Sequence, residues 1–187
     1  VIALAAGIGI ALATALGLGS PHAARVTGDF TDLVYTSGET LTRSNSASTI
    51  KLVAYGYTSC ADACPATLTK MHGVLEALGV EGERISPLFV TLNPDHDTNA
   101  ILEAYVHHFD PRIQGLTGER SKLQHSAEQL NALPVDPVAK ATPDGGPNHA
   151  VRLYLLSAHN ELLRAYELED STRLIAADIH RRLAPRS

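Results

Sequence analysis

The sequence predicts an α/β fold, and three observations carry the prediction. Two compact β-branched and aromatic runs, "IKLVAYGY" at 50–57 and "ISPLFVTL" at 85–92, read as central strands. A helical stretch lies between them, and strand and helix patterns continue to alternate afterwards. No internal repeat or low-complexity tract competes with that order. A length of 187 residues, 44% of them apolar and 19% charged, suffices for one well-buried domain with a short appendage.

Taken in order, residues 25–49 are polar and β-prone with a Ser37-Gly38 turn, which predicts a short β-hairpin followed by a linker. After the first central strand, Pro65 is expected to begin a helix at its first position. Leu68, Met71, Leu75 and Leu78 then recur at spacings of three and four, a stripe best read as core packing, and Gly79 is placed to end it. A second helix is predicted from about Thr98 to Phe109, with Asp97 or Thr98 as its cap. One face carries Ile101, Leu102, Tyr105, Val106 and Phe109. "RIQGLTG" offers a short strand, and a third helix is expected from about Glu119 to Leu133. The segment "PVDPVAKATPDGGPN" at 134–148 holds four prolines and two glycines and predicts a long loop of the kind that serves a site. "AVRLYLLS" and "ELLRAYE" follow as strands of a hairpin turning at "AHN", and "STRLIAADIHRRL" closes as an amphipathic helix capped by Ser171 or Thr172. This order is a thioredoxin-like pattern with an N-terminal β-hairpin extension and insertions.

The first nineteen residues carry no charge and one polar side chain, Thr14. As a helix rising 1.5 Å per residue, such a run crosses a bilayer core of about 30 Å. We read 1–20 as a membrane-targeting segment, with a retained anchor favoured, although "SPHAA" at 20–24 also offers small residues to a signal peptidase. Residues 21–27 then form a linker and 28–187 the folded domain. That organisation places the domain outside the cytoplasm, where a cysteine pair can be oxidised. The net charge of −5, with only Arg181, Arg182 and Arg186 clustered, leaves no basic footprint for nucleic acid.

The only two cysteines, Cys60 and Cys64, have three residues between them in "GYTSCADACPATL". With Pro65 opening the helix, Cys64 becomes its expected N-cap and Cys60 sits in the loop before it. Unpaired amides and the positive end of the helix dipole favour thiolates there. Three readings are open. A structural disulfide would close a loop of only a few residues, where the chain-entropy gain is small. A redox couple fits the short separation, although dithiol oxidoreductases of this fold typically space their cysteines by two residues. A metal site requires a further ligand.

Nine histidines are candidates. His22, His72, His107, His108, His125, His159 and His180 read as surface or packed residues. His96, in the polar loop "NPDHDT", is a neighbour of the site at most. His149 differs, because it follows the Pro/Gly loop and stands just before "AVRLYLLS". In a thioredoxin-like sheet the chain there passes the start of the cysteine-bearing helix. Two thiolates and an imidazole form a soft three-coordinate set suited to Cu(I), whereas Zn(II) more often takes a fourth ligand.

The segments "GYTSCADACPATL", "FVTLNPDHDT", "YVHHFDPRIQGLTG" and "NHAVRLYLLSAHNEL" together resemble the Sco/SenC family of copper chaperones for cytochrome c oxidase assembly. The resemblance covers about Gly28 to Leu183. It implies a thioredoxin-like fold in a membrane-anchored, periplasm-facing protein that binds Cu(I), and also Cu(II), through Cys60, Cys64 and His149. The implied task is maturation of the dinuclear copper centre of oxidase subunit II, by delivering metal, by reducing its cysteines, or both. The implied partners are that subunit or another copper protein, and an upstream copper donor or thiol reductant. The alternative is an enzyme, a thiol:disulfide oxidoreductase using Cys60 and Cys64 as its redox pair. The chain departs from the family pattern at Asn148, where an acidic residue usually precedes the histidine, and at Ala61 and Asn93; Asp62 matches an acidic position.

Overall fold

A computed structural model describes residues 25–42, 49–133 and 151–184. The apolar run at 1–20, the linker residues 21–24, the Pro/Gly loop and His149 lie outside the described residues. Among the described residues no helix is long and apolar enough to cross a membrane.

One six-stranded sheet organises the chain. Its strands are β1 (Val34–Tyr35), β2 (Ile50–Gly56), β3 (Ile85–Thr91), β4 (Gln114–Thr117), β5 (Arg152–Leu156) and β6 (Leu162–Glu167), in the order β1-β4-β3-β2-β5-β6. The central three, β2, β3 and β4, run parallel, Ile50 pairing with Ile85 and Leu88 with Gln114. β5 joins β2 antiparallel, with Val53 opposite Tyr154, and β6 joins β5 through a hairpin. Parallel strands are joined by crossovers, so the sheet is covered on both faces. Helices α1 (Ala63–Leu78), α2 (Asn99–Phe109) and α4 (Thr172–Leu183) share one core with Leu52, Ala54, Phe89, Leu153 and Leu155. On the other face, α3 (Arg120–Gln129) and the stretch around Phe30, Leu33 and Leu41 cover Val53, Tyr55, Leu88, Val90, Tyr154 and Leu156. Alternate residues of each strand thus feed alternate cores.

The expected hairpin at Ser37-Gly38 is present: Val34 bridges Thr40, and Gly38 takes φ 89° in the turn. Upstream, Thr27 bridges Glu161 and Val26 O accepts the Leu162 N–H at 2.8 Å, so the chain before β1 is stitched to the start of β6.

Four expectations need correction. Helix α1 begins at Ala63 with Asp62 as its N-cap, so Cys64 is the second helical residue and Pro65 the third, rather than cap and first. All four leading N–H groups of a helix lack partners, so proline is tolerated throughout the first turn. Gly79 does end α1 at φ 56°, but a 3₁₀ turn, Gly79–Arg84, follows before β3. Helix α3 stops at Gln129 instead of 133. Asn131 takes a left-handed φ of 52°, with its N–H on Glu128 O and the Ala132 N–H on Ala127 O, the Schellman closure. On α2, Leu102 and Val106 face the core, whereas Ile101 is exposed at 43%.

Candidate metal centre

The site lies at the C-terminal end of β2, where the last strand residue is Gly56 and the chain turns through Tyr57–Ser59 into α1. Cys60 N–H donates to Tyr57 O at 3.3 Å, closing the turn. The Asp62 side chain does not cap α1. The Cys64 N–H instead donates to Cys60 Sγ at 3.4 Å, so one sulfur satisfies a leading helix amide of its partner's own residue. No disulfide joins the two cysteines; Cys64 is 1% and Cys60 9% exposed, putting Cys60 on the outer side of the pair.

Gly56 makes room for them. A Cβ there would lie 2.5 Å from Cys64 Sγ and 2.8 Å from Phe89 Cζ. Only a residue without a side chain lets sulfur and ring meet over the strand. Tyr105, from α2, packs on this same cluster, its ring centroid 5.9 Å from that of Phe89 and 5.4 Å from that of Phe109.

The turn is held from below by Asp97, whose carboxylate is fully buried. Asp97 Oδ2 accepts the Thr58 N–H at 3.1 Å and the Thr91 hydroxyl at 2.6 Å. Its Oδ1 accepts the Thr58 hydroxyl at 2.6 Å and pairs with His96 Nδ1 at 3.0 Å. The carboxylate thereby ties the end of β3 to the start of the cysteine turn, with enough donors to offset its burial. Asp97 was a helix-cap candidate on sequence; Thr98 takes that role, accepting the Ile101 N–H at 3.4 Å.

The described histidines divide by position. His96 borders the cysteine turn through Asp97. His72 pairs with Asp110 at 2.8 Å, His125 with Gln129 at 3.0 Å and His180 with Glu81 at 2.5 Å. His72, Glu76 and Asp110 converge closely enough to hold an ion. Arg112 already supplies the cation there, reaching Asp110 Oδ2 and Glu76 Oε1 at 2.6 Å each. The chain leading into and out of 134–150 returns to one cleft: Leu133 and Val151 line it with Asp62, Ala63 and Ala66 at the start of α1.

The SCO1/SenC family pattern matches residues 19–184. The chain belongs to the SCO1/SenC family. Among its family relatives, a SCO2-like protein of Rickettsia felis is 30% identical over 156 residues, covering 81% of this chain and 74% of that protein. The copper-bound structure of Bradyrhizobium japonicum ScoI superposes with a TM-score of 0.72 at 25% identity, covering 84% of this chain and 99% of the other. BsSco, a member of the Sco family of cytochrome c oxidase assembly proteins in which a disulfide switch was identified, matches in fold with a TM-score of 0.67 at 16% identity, covering 84% and 94%. The mixed α/β sheet is thus the thioredoxin-like sheet of the Sco structures.

Sequence reasoning found the cysteines but missed Gly56, Asp97 and Tyr105 as parts of the site. Tyr105 did carry a signal, a phenol on an otherwise apolar helix face, because a buried Tyr usually seeks a partner for its hydroxyl.

Proposed function

We propose that this chain is a copper carrier that holds Cu(I) on Cys60, Cys64 and His149, also meets Cu(II), and serves assembly of the dinuclear copper centre of cytochrome c oxidase subunit II. The observation that carries the reading is the cysteine pair, not joined by a disulfide, with Cys60 in the turn before α1 and Cys64 in its first turn, the Cys64 N–H already directed at Cys60 Sγ. Soft sulfur donors in a largely apolar setting suit Cu(I). The supply of a third ligand is supported by the shared cleft. Val151, two residues after His149, and Leu133, just before the Pro/Gly loop, both border the start of α1. Copper bound to the Bradyrhizobium relative supports the choice of metal.

As a carrier, the chain has no turnover of its own. Metal enters and leaves by ligand exchange on the side of the more exposed Cys60, with the donor and acceptor as its partners. The residues 1–20 act as a single cytoplasmic-membrane anchor, leaving the domain on the periplasmic or extracytoplasmic side; extraction with alkaline carbonate tests this, an anchored chain staying in the pellet.

The deciding experiment is an anaerobic Cu(I) titration of the reduced full chain against a strong competing chelator. One equivalent is held, Cys60→Ser or Cys64→Ser abolishes binding, and His149→Ala weakens it. Oxidation to the Cys60–Cys64 disulfide expels the metal, because the sulfurs lose thiolate character.

A second reading rests on the same pair. As an oxidoreductase, the dithiol passes two electrons and two protons to a disulfide of the acceptor, becomes the Cys60–Cys64 disulfide, and is restored by an upstream thiol reductant. This reading replaces the first if His149→Ala leaves copper affinity and transfer unchanged while dithiol exchange persists.

A further inference from the structure

The Tyr105 hydroxyl has no hydrogen-bond partner among the described residues, although its oxygen is closed off from solvent. A buried hydroxyl left unpaired costs free energy, and each such group calls for a reason. Its surroundings supply one. The ring stands on α2 between Phe89 and Phe109, and Phe89 meets Cys64 Sγ over Gly56. The apolar cluster against which Tyr105 packs includes both Cys60 and Cys64. Burial first, and then the nearness of Cys64, Cys60 and Asp97, hold the ionisation of the phenol above the ordinary range. A phenol is protonated at neutral pH, so the hydroxyl is available as a donor.

We propose that Tyr105 is a positioning residue of the cysteine pair: its hydroxyl, unpaired beside the two thiols, donates to a sulfur that carries thiolate charge or metal, stabilising that charge inside an otherwise apolar pocket. A hydroxyl that lacks a partner beside neutral thiols gains a strong one when a sulfur becomes anionic, because charge-assisted hydrogen bonds are about twice as strong as neutral ones. The disulfide, whose sulfurs carry no charge, gains much less. Tyr105 thus favours the reduced, metal-competent state over the oxidised one. The metal part of this inference rests on the copper reading above; the redox part does not.

The test is Tyr105→Phe in the full chain, which retains the ring and its packing. Two constants are compared with wild type: the dithiol–disulfide equilibrium against dithiothreitol without metal, and the Cu(I) affinity by chelator competition. The expected result is a shift of about tenfold toward the disulfide, equivalent to about 30 mV more negative, with Cu(I) held about tenfold more weakly. The melting temperature of the metal-free oxidised variant stays level or rises, since an unpaired buried hydroxyl has gone. A purely structural tyrosine would instead lower the melting temperature and leave both constants alone. A dithiol equilibrium equal to wild type overturns the assignment, whatever the copper result. If wild type itself holds no Cu(I), the copper reading fails, and the dithiol equilibrium still decides the role of Tyr105.

Discussion

At the scale of single residues, the site depends on a missing side chain as much as on present ones. Gly56→Ala brings a methyl to within 2.5 Å of Cys64 Sγ and 2.8 Å of the Phe89 ring, so one of them must move. Gly56 is a strand residue without a left-handed φ, which makes the substitution a purely steric test. Overpacking of this kind costs about 1–3 kcal/mol. We expect chemical denaturation to report that loss and Cu(I) competition to show weakened binding, because the nearer of the two, Cys64 Sγ, is a proposed ligand. The cysteines were legible in the sequence, since their spacing and the adjacent proline carry local meaning. Gly56 and Asp97 were not. Their roles arise only when the ends of β2 and β3 and the helix start converge, and no periodicity records that convergence.

At the scale of elements, helix ends were harder to read than helix bodies. The buried stripe Leu68, Met71, Leu75 and Leu78 follows directly from 3.6-residue periodicity. The start of α1 does not, because proline at the first and third helical positions satisfies the same local rule. The end of α3 is set by Asn131, whose left-handed φ of 52° a short polar side chain tolerates. Asn131→Val, branched at Cβ, should cost roughly 1–2 kcal/mol in urea denaturation by strain at that position. Asn131→Gly should be neutral or slightly stabilising. As Asn131 lines the cleft at the start of α1, the valine variant also tests whether that helix end supports the site. The strands were legible to within a few residues, and the antiparallel attachment of β5 and β6 followed from the hairpin signal at 158–160. The placement of β1 beside β4 did not, because two residues carry no pattern of their own.

At the scale of the whole molecule, Asp110 and Lys51 are two of the buried charges that make stability depend on pH. Asp110, 1% exposed at the C-cap of α2, accepts two hydrogen bonds from the Arg112 guanidinium and one from its backbone N–H, and pairs with His72. Arg112 first, against the opposing effect of burial, holds its carboxyl well below the usual range. The folded state therefore binds this proton less readily than the unfolded chain. The resulting stabilisation is complete above about pH 4 and fades as pH falls from there toward the lower folded value. Asp110→Asn should cost about 2–3 kcal/mol at neutral pH and flatten the acid limb of a melting-temperature profile. Lys51 gives the opposite case. It is buried in β2, with Nζ donating to Thr49 O at 3.4 Å and Ala158 O at 3.3 Å, and burial pulls its pKa down to about 8. Between pH 8 and about 10.5 the unfolded chain binds more protons, so stability rises with pH across that window, and the cost of the charge is present in full below it. Lys51→Met should add about 1–3 kcal/mol at pH 7 and abolish that rise in calorimetry. The stitching of Val26–Gly28 to the start of β6 also fixes a direction. Across β5, the start of β6 is level with the N-terminal end of β2, and the sulfurs lie past the C-terminal end of β2, seven residues and roughly 20 Å away. Whatever precedes Arg25 therefore joins the body at one pole while the thiols occupy the other, so a tether at that end would hold them outward, facing an incoming protein rather than the surface behind.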